Sequence, residues 1–401
     1  MVSIDEARRI VLSLAKRLPD VNVPLLESLG MVLAEDVHSP WDIPSADNSA
    51  MDGYAYSHDS LQGLSLQVCG FLPAGTIWTD SIPPGQTIKI MTGAQIPPGC
   101  DTVVPVEDVQ ETPDGITLKG ASKPGSHVRK RGEDVGSDEL VLNAGTLIRP
   151  QEVGMLASFG KTEVHVYRKP VVAILATGDE LVEPGDERLP GKIINSNSFS
   201  VAAQVLEAGG RPLMLGIASD DREITRDMLL KGLQADVIIT SGGVSVGDHD
   251  FVKEVIEEMG GELKFWKINM KPGKPLAFAV VADKPLFALP GNPVAAMVGF
   301  EMFVRPALLA MMGHTRIIRP LVRAVVTEQI RNKGDRPHLI RALVELQGGK
   351  YHLKSTGNQG SARLSSLTLG NALTLVPAGT TIILGNEIDV SLLDRSFEMQ
   401  E

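Results

Sequence analysis

Between Pro170 and Gly313, short continuous apolar runs alternate with helical patterns, and no other stretch of the chain restricts the fold so tightly. Val171 to Ala176 is apolar and Asn195 to Leu206 has helical period. Leu213 to Ala218 is apolar, then Glu223 to Leu233 is helical. Val237 to Thr240 is followed by the Asp250 to Met259 pattern. Leu263 to Ile268, Leu276 to Val281 and Leu286 to Leu289 are further runs, and a long helix is expected after Pro293. Strands alternating with helices at this spacing predict βαβ units: a doubly wound, mainly parallel sheet with helices on both faces.

The flanking segments read differently. Ile4, Ala7, Val11, Leu14 and Leu18 follow a helical period with Ser3 as N-cap, and a second short helical pattern covers Leu25 to Leu33. From Pro40 to Asp138, short apolar runs (Leu64–Val68, Thr87–Met91, Thr102–Val106, Ile116–Lys119) alternate with Gly, Pro and Asp turns, so this region is β-rich. A mixed strand and helix segment, Val141 to Val166, returns to the N-terminal helices and makes the β region an insertion. After Arg319, runs at Val322–Thr327, Ile340–Leu346, Tyr351–Ser355, Ala372–Val376 and Thr381–Leu384 predict a small closed β-barrel. The expected division is 1–43 with 138–168, then 44–137, 169–317 and 318–401. Four parts lie within the about two to four domains expected of 401 residues at roughly 150 per domain.

Composition excludes several classes. Asp plus Glu outnumber Lys plus Arg, 49 to 38, and aromatics are 4%. Such a chain lacks the basic surface and stacking platforms of a nucleic-acid binder. Two cysteines, Cys69 and Cys100, are not expected to make a disulfide framework or a four-ligand zinc site, so a reducing cytoplasm is expected. The N-terminus is acidic and amphipathic, unlike a signal peptide. Glu301 and Arg305 break the apolar stretch from Pro293 to Ala310, so no membrane span is expected.

Ligands of doubly wound sheets bind beyond the carboxyl ends of the strands. Those ends read Thr177-Gly178-Asp179-Glu180, Ser219-Asp220-Asp221 and Thr240 to Asp250, which includes Ser241-Gly242-Gly243 and Ser245. The next two are Lys267 to Pro275 and Leu289-Pro290-Gly291-Asn292-Pro293. The Gly242-Gly243 turn suits an anion at a helix start or is simply a tight turn. Glu180, Asp220, Asp248 and Asp250 offer hard oxygens for Mg2+, although each Asp also reads as a helix cap. Lys267, Lys271 and Lys274 in one Pro- and Gly-punctuated loop suit an oxyanion. In the β-rich region three further loops are unusually polar: Asn48 to Ala55, Met91 to Ala94 and Arg129 to Asp134. There is no Gly-x-Gly-x-x-Gly, P-loop or serine-nucleophile pattern.

Seven segments now stand in order: Asn48-Ser49-Ala50-Met51-Asp52-Gly53-Tyr54-Ala55, Met91-Thr92-Gly93-Ala94, Arg131-Gly132-Glu133-Asp134, Thr177-Gly178-Asp179-Glu180-Leu181, Ser241-Gly242-Gly243-Val244-Ser245-Val246-Gly247, Lys271-Pro272-Gly273-Lys274-Pro275 and Leu289-Pro290-Gly291-Asn292-Pro293. Together they resemble the molybdopterin molybdenumtransferases, the MoeA family, which includes the C-terminal domain of gephyrin. The resemblance covers essentially the whole chain. It implies a homodimer, with 1–43 and 138–168 as linker and dimerisation domain and 169–317 as the molybdopterin-binding α/β domain. It implies the last step of molybdenum-cofactor synthesis, in which adenylylated molybdopterin and molybdate give molybdenum cofactor and AMP with Mg2+. Family positions carry over onto Asp52, Thr92, Glu180, Asp250, Lys267 and Lys271 as catalytic. Substrate-binding positions are Arg129, Asp134, Ser241, Gly242, Gly243, Ser245, Lys274, Pro290, Pro293 and Ser361. Glu180, Asp220 and Asp250 are the implied Mg2+ ligands. Implied partner proteins are an upstream molybdopterin adenylyltransferase and downstream molybdoenzyme maturation proteins. The competing readings are a molybdopterin adenylyltransferase, a non-catalytic gephyrin-like scaffold and a Rossmann oxidoreductase, the last disfavoured by the missing glycine fingerprint.

Overall fold

The order of strands explains why the apolar runs are unbroken. The structure, a computed structural model, describes residues 1–120, 122–187, 189–243 and 251–394. These form two compact units, one of residues 1–34, 147–149 and 163 onward, the other of 35–146 and 150–162.

In the first unit a six-stranded sheet runs in the order Arg211–Ala218, Val171–Thr177, Val237–Ser241, Lys284–Leu289, Ala277–Val281, Glu262–Phe265. The first four strands are mutually parallel and the last two are added antiparallel. Val172, Ile174, Val237, Ile239, Phe287 and Leu289 pack on one face against Val201 and Val205 of helix Asn197–Glu207 and Val294 and Val298 of the long helix. Ala173, Leu175, Ile238, Leu286 and Ala288 pack on the other against Leu229 of helix Arg222–Gly232 and Val252, Val255 and Ile256 of helix Phe251–Glu258. Both faces are covered, so alternate positions are equally apolar, as the continuous runs required.

The helix after Pro293 is α from Pro293 to Gly299, π from Phe300 to Val304 and α again to Met311. Pro306 lacks an N–H and crowds the carbonyl one turn back, and the wider π turn accommodates that gap. By length and composition Pro293–Met311 qualifies as a membrane span, against the expectation from Glu301 and Arg305, yet 72% of the qualifying window is buried inside the protein. Glu301 is half-buried and takes Arg319 Nε at 2.7 Å and lies 3.9 Å from Arg305, so the two charges that interrupt the helix are paired within the fold.

Helix Ile4–Leu14 forms with the expected cap but ends one turn before Leu18, with Ser3 Oγ accepting from Glu6 N at 3.1 Å and Ile4, Ala7 and Val11 buried. The Leu25–Leu33 pattern gives only a single 3-10 turn, Leu25–Ser28. It follows strand Asp20–Pro24, which pairs antiparallel with Glu163–Tyr167. The barrel closes through Leu321–Val326, Lys350–Ser355, His338–Gln347, Ala372–Val376 and Glu387–Leu392. Its closing strand is Glu387–Leu392, with Ile388, Val390 and Leu392 facing the barrel core, and not the expected Thr381–Leu384. The latter run lacks alternation. It shortens to Thr381–Ile382, pairs with Ile330–Arg331 and leaves Ile383 and Leu384 exposed.

The second unit is built on a six-stranded sheet ordered Thr102–Pro105, Gly53–Tyr56, Gln86–Ile90, Ser65–Leu72, Gly115–Leu118, Val109–Thr112. The expected Asn48 to Ala55 loop is therefore in strands at Asn48–Ser49 and Gly53–Ala55. All four residues of Gly53–Tyr56 are buried between two neighbours. A Cβ on Gly53 would stand 2.1 Å from Val104 O, so only glycine lets these strands approach.

Candidate functional site

Beyond the carboxyl ends of the parallel strands lies a cavity of about 700 Å3. Thr177, Gly178 and Glu180 bring the first strand's end to it, Asp220 the second's, Ser241-Gly242-Gly243 the third's, and Pro290-Gly291-Asn292-Pro293 the hairpin's. The loops are tied to one another. Gly242 N donates to Leu289 O at 3.1 Å, and Asn197 Nδ2 donates both to Ser241 Oγ at 2.9 Å and to Gly291 O at 2.8 Å. Asp220 N donates to Asp179 Oδ1 at 3.0 Å, while Asp179 N returns a bond to Asp220 Oδ2 at 3.4 Å. Gly242 and Gly243 sit at φ +97° and +65°. Added Cβ atoms would meet Thr177 O and Val252 Cγ2, each at 2.5 Å. Thr177 Oγ1 is buried with no hydrogen-bond partner among the described residues. A buried hydroxyl left unpaired beneath the glycine turn is a cost the fold carries.

A second cavity of about 560 Å3 shares Pro275, Pro290 and Asn292 with the first. Its character is opposite: Lys271, Lys274 and Arg336 line it, with Asn358, Gln359, Gly360 and Ser361. Ser361 is held at the start of the long helix, since Val294 N donates to its carbonyl at 3.1 Å. Arg341, fully buried, donates from its guanidinium to Gly360 O at 3.2 Å and to Ser366 Oγ at 3.1 Å. Burial lowers its pKa to about 10.

The second unit carries its own polar group. Thr92 donates to Asp52 Oδ1 from both its backbone N and its hydroxyl, each at 2.7 Å, and these two bonds hold the Asp52 carboxyl below the ordinary carboxylate range. Arg129 pairs with Asn48 across the short Val128–Arg129 and Asn48–Ser49 ladder. Gly93 N donates to Ser49 O at 2.8 Å, so the 48–52, 91–95 and 127–131 loops are stitched together. Asp47 receives Arg131 N and Lys130 Nζ, each at 2.8 Å, and its pKa is lowered by the Lys130 bond first and the Arg131 bond next.

Family comparisons agree along the chain. Residues 2–160 match the MoeA N-terminal region (domain I and II), 173–310 the family described as "Probable molybdopterin binding domain", and 323–393 the MoeA C-terminal region (domain IV). The chain belongs to the MoeA family. A molybdopterin molybdenumtransferase of Bacillus subtilis is 36% identical over 94% of this chain and 91% of its own length, and one of Haemophilus influenzae is 36% identical over 96% and 98%. The solved molybdopterin biosynthesis MoeA protein of Pyrococcus horikoshii superposes with TM-score 0.82 at 31% identity, covering 98% of this chain and 100% of that one.

In this MoeA chain the first cavity gathers Glu180, Asp220, Ser241, Gly242, Gly243, Pro290 and Pro293, and the second Lys271, Lys274, Pro290 and Ser361. Lys267 lines neither, and its carbonyl accepts from Val2 N at 3.0 Å. Asp52, Thr92, Arg129 and Asp134 belong to the other unit. Asp134 is exposed, and its backbone N donates to Ile43 O at 3.0 Å. Ser245 and Asp250 lie outside the described residues. Among the described residues no three His, Cys, Asp or Glu side chains form a metal-holding group. Sequence reasoning missed Asn197, Arg336 and Arg341. The Asn195-Ser196-Asn197-Ser198 cluster at a helix start was a usable signal for Asn197. No motif marks Arg336, because it reaches the cleft only through barrel packing.

Proposed function

We propose that this chain inserts molybdenum into molybdopterin, converting adenylylated molybdopterin and molybdate into molybdenum cofactor and AMP. The reading rests on two adjoining cavities of opposite chemistry, one glycine- and carboxylate-lined, the other cationic. In the first, Ser241 and the glycine turn offer donors to the phosphate link. Glu180 and Asp220 supply two hard oxygens, a donor set that suits Mg2+ completed by water and substrate phosphate. When bound, Mg2+ would neutralise charge on the departing AMP. In the second cavity, Lys271, Lys274 and Arg336 hold the molybdate dianion next to the pterin's sulfurs, with the Ser361 hydroxyl as a further donor. Asp52, kept ionised by Thr92, serves as an acceptor. Arg129 and Asp134 are assigned to substrate binding, Lys267 and Asp250 to catalysis, and Ser245 to substrate binding.

The homodimer, the cytoplasmic location and supply of substrate by a separate molybdopterin adenylyltransferase are part of the same proposal. The test incubates the purified chain with adenylylated molybdopterin, Mg2+ and molybdate, and measures AMP and metal-loaded cofactor. Both should appear together. Pyrophosphate from ATP and molybdopterin, without AMP release from the adenylylated substrate, would overturn the reading in favour of adenylyl transfer.

A further inference from the structure

We infer that Gln359 is a positioning residue of the cationic cleft: its side chain sets the distance between the two walls, and with it the preference for molybdate over smaller tetrahedral dianions. Lys271, Lys274 and Arg336 form one wall, and Asn358 to Ser361 form the other. The molybdate preference rests on the proposed insertion reading, whereas the spacing of the walls does not.

Both walls are registered on one barrel strand, His338–Gln347. Strand Lys350–Ser355 pairs with it only from Ala342 to Gln347. Nearer its start, the same edge is taken over by the cleft. Arg341 N donates to Gln359 Oε1 at 2.9 Å, and Gln359 Nε2 donates back to Arg341 O at 3.1 Å. Leu339 N donates to Lys271 O at 2.8 Å, and Lys271 N donates to Pro337 O at 2.9 Å. Residues two apart in a strand present their N–H groups to the same edge, so Gln359 and Lys271 are consecutive rungs roughly 7 Å apart along it. A carboxamide has a donor side and an acceptor side, as a peptide group does, and so continues the ladder beyond the end of the neighbouring strand.

The Gln359 carboxamide is fully engaged in this. Its nitrogen is shared among Arg341 O, Thr356 Oγ1 and Gly357 O, the last two at 3.3 Å, so it acts on a ligand only through the segment it holds. That segment is fixed again further on. Arg341 Nη2 donates to Gly360 O at 3.2 Å, and Val294 N, at the start of the long helix, donates to Ser361 O at 3.1 Å. Ser361 therefore stands at a set distance from Lys271. Molybdate and sulfate share charge and shape, and molybdate is the larger. Ammonium groups on flexible stems follow either anion, whereas a gap of fixed width favours the one that spans it.

Gln359→Met keeps length and bulk and deletes both bonds to Arg341. Calorimetric titration of the full chain should show molybdate bound at least about fivefold more weakly and sulfate changed by less than about twofold, so that discrimination falls. In the insertion assay half-saturating molybdate should rise by the same factor, with the maximal rate and binding of adenylylated molybdopterin within about twofold of wild type. Gln359→Asn is one methylene too short to reach both groups and should reproduce the loss, which keeps the test open if the Met variant fails to fold. Thr374→Val is the control for stability alone, because it removes the bond from Thr374 Oγ1 to Asp389 O, 2.8 Å, elsewhere in the barrel. It should lower the urea midpoint and leave the molybdate-to-sulfate ratio at its wild-type value. A Gln359→Met protein with a lower maximal rate but unchanged half-saturation and ratio would mean that the side chain only holds the barrel together, and the proposal would fall. Equal weakening of molybdate and sulfate would overturn it too. Discrimination that depends on Gln359 in a chain that releases no AMP would instead overturn the insertion reading and leave Gln359 its place.

Discussion

Gly242→Ala tests the cleft most directly, because its cost follows from two separate facts. At φ +97° a side chain is strained, at roughly 1–2 kcal/mol. The new Cβ would also stand 2.5 Å from Thr177 O and 2.9 Å from Thr177 Oγ1, inside contact distance. Relieving that overlap in a packed site costs roughly 1–3 kcal/mol more. The sum is about 2–5 kcal/mol of stability. The turn must move by about 1 Å, and a shift of that size in a site that positions reactants can cost about 100-fold in rate. Gly291→Ala on the same rim is the control. Its Cβ meets only Gly242 Cα at 3.8 Å and its φ is ordinary, so stability should stay within about 1 kcal/mol of wild type. Urea unfolding followed by circular dichroism gives the stabilities, and AMP release gives the rate. A Gly242→Ala protein with wild-type midpoint and wild-type AMP release would refute the reasoning, as would equal damage from Gly291→Ala.

Asn197→Ala removes the bonds to Ser241 Oγ and Gly291 O and should destabilise the chain by about 1–3 kcal/mol in the same assay, while Asn197→Asp, which cannot donate, should not rescue it. Lys274→Ala should raise half-saturating molybdate roughly 10- to 100-fold, the equivalent of one charge-assisted bond, with adenylylated molybdopterin binding within about twofold; an unchanged half-saturation sinks the assignment. Thr92→Val deletes the hydroxyl bond to Asp52 but keeps the backbone bond, so the Asp52 pKa, read by carboxyl-carbon NMR, should rise and still remain below 3.8. His338 is depressed when folded, so its contribution to stability is present above the unfolded value of about 6.5 and is lost as pH falls towards about 4. Ring-proton NMR should show no titration of His338 above about pH 5, and a His338 midpoint near 6.5 would contradict its burial among cations.

The alternation of apolar runs and helical periods between Pro170 and Gly313 was sufficient to specify a parallel sheet covered on both faces. Each residue's face is set by a period of two or 3.6, and that information is local. The strand-end clusters Thr177 to Glu180, Ser241 to Gly243 and Leu289 to Pro293 were legible for the same reason, since a doubly wound sheet must deliver its strand ends to one edge. Local patterns were weaker where packing from a distant segment decides the outcome. Gly53–Tyr56 reads as a polar loop because nothing nearby in sequence shows that Thr102–Pro105 and Gln86–Ile90 enclose it. Thr381–Leu384 looked more apolar than Glu387–Leu392, yet only the latter alternates and so can face a barrel core on one side and water on the other.

The sites divide along the same line. Residue chemistry alone marked Lys271 and Lys274 as an oxyanion loop and Glu180 and Asp220 as hard-oxygen donors. Which of them share a wall, and that Lys267 shares none, depends on how the loops cross. Arg336, Arg341 and His338 carry no motif, because each acquires its role from the barrel closing against the Lys271 loop. Sequence by itself determined the chemistry available at the strand ends. Only the tertiary structure decided which groups meet, because juxtaposition across tens to hundreds of residues is a property of packing, and no local period encodes it.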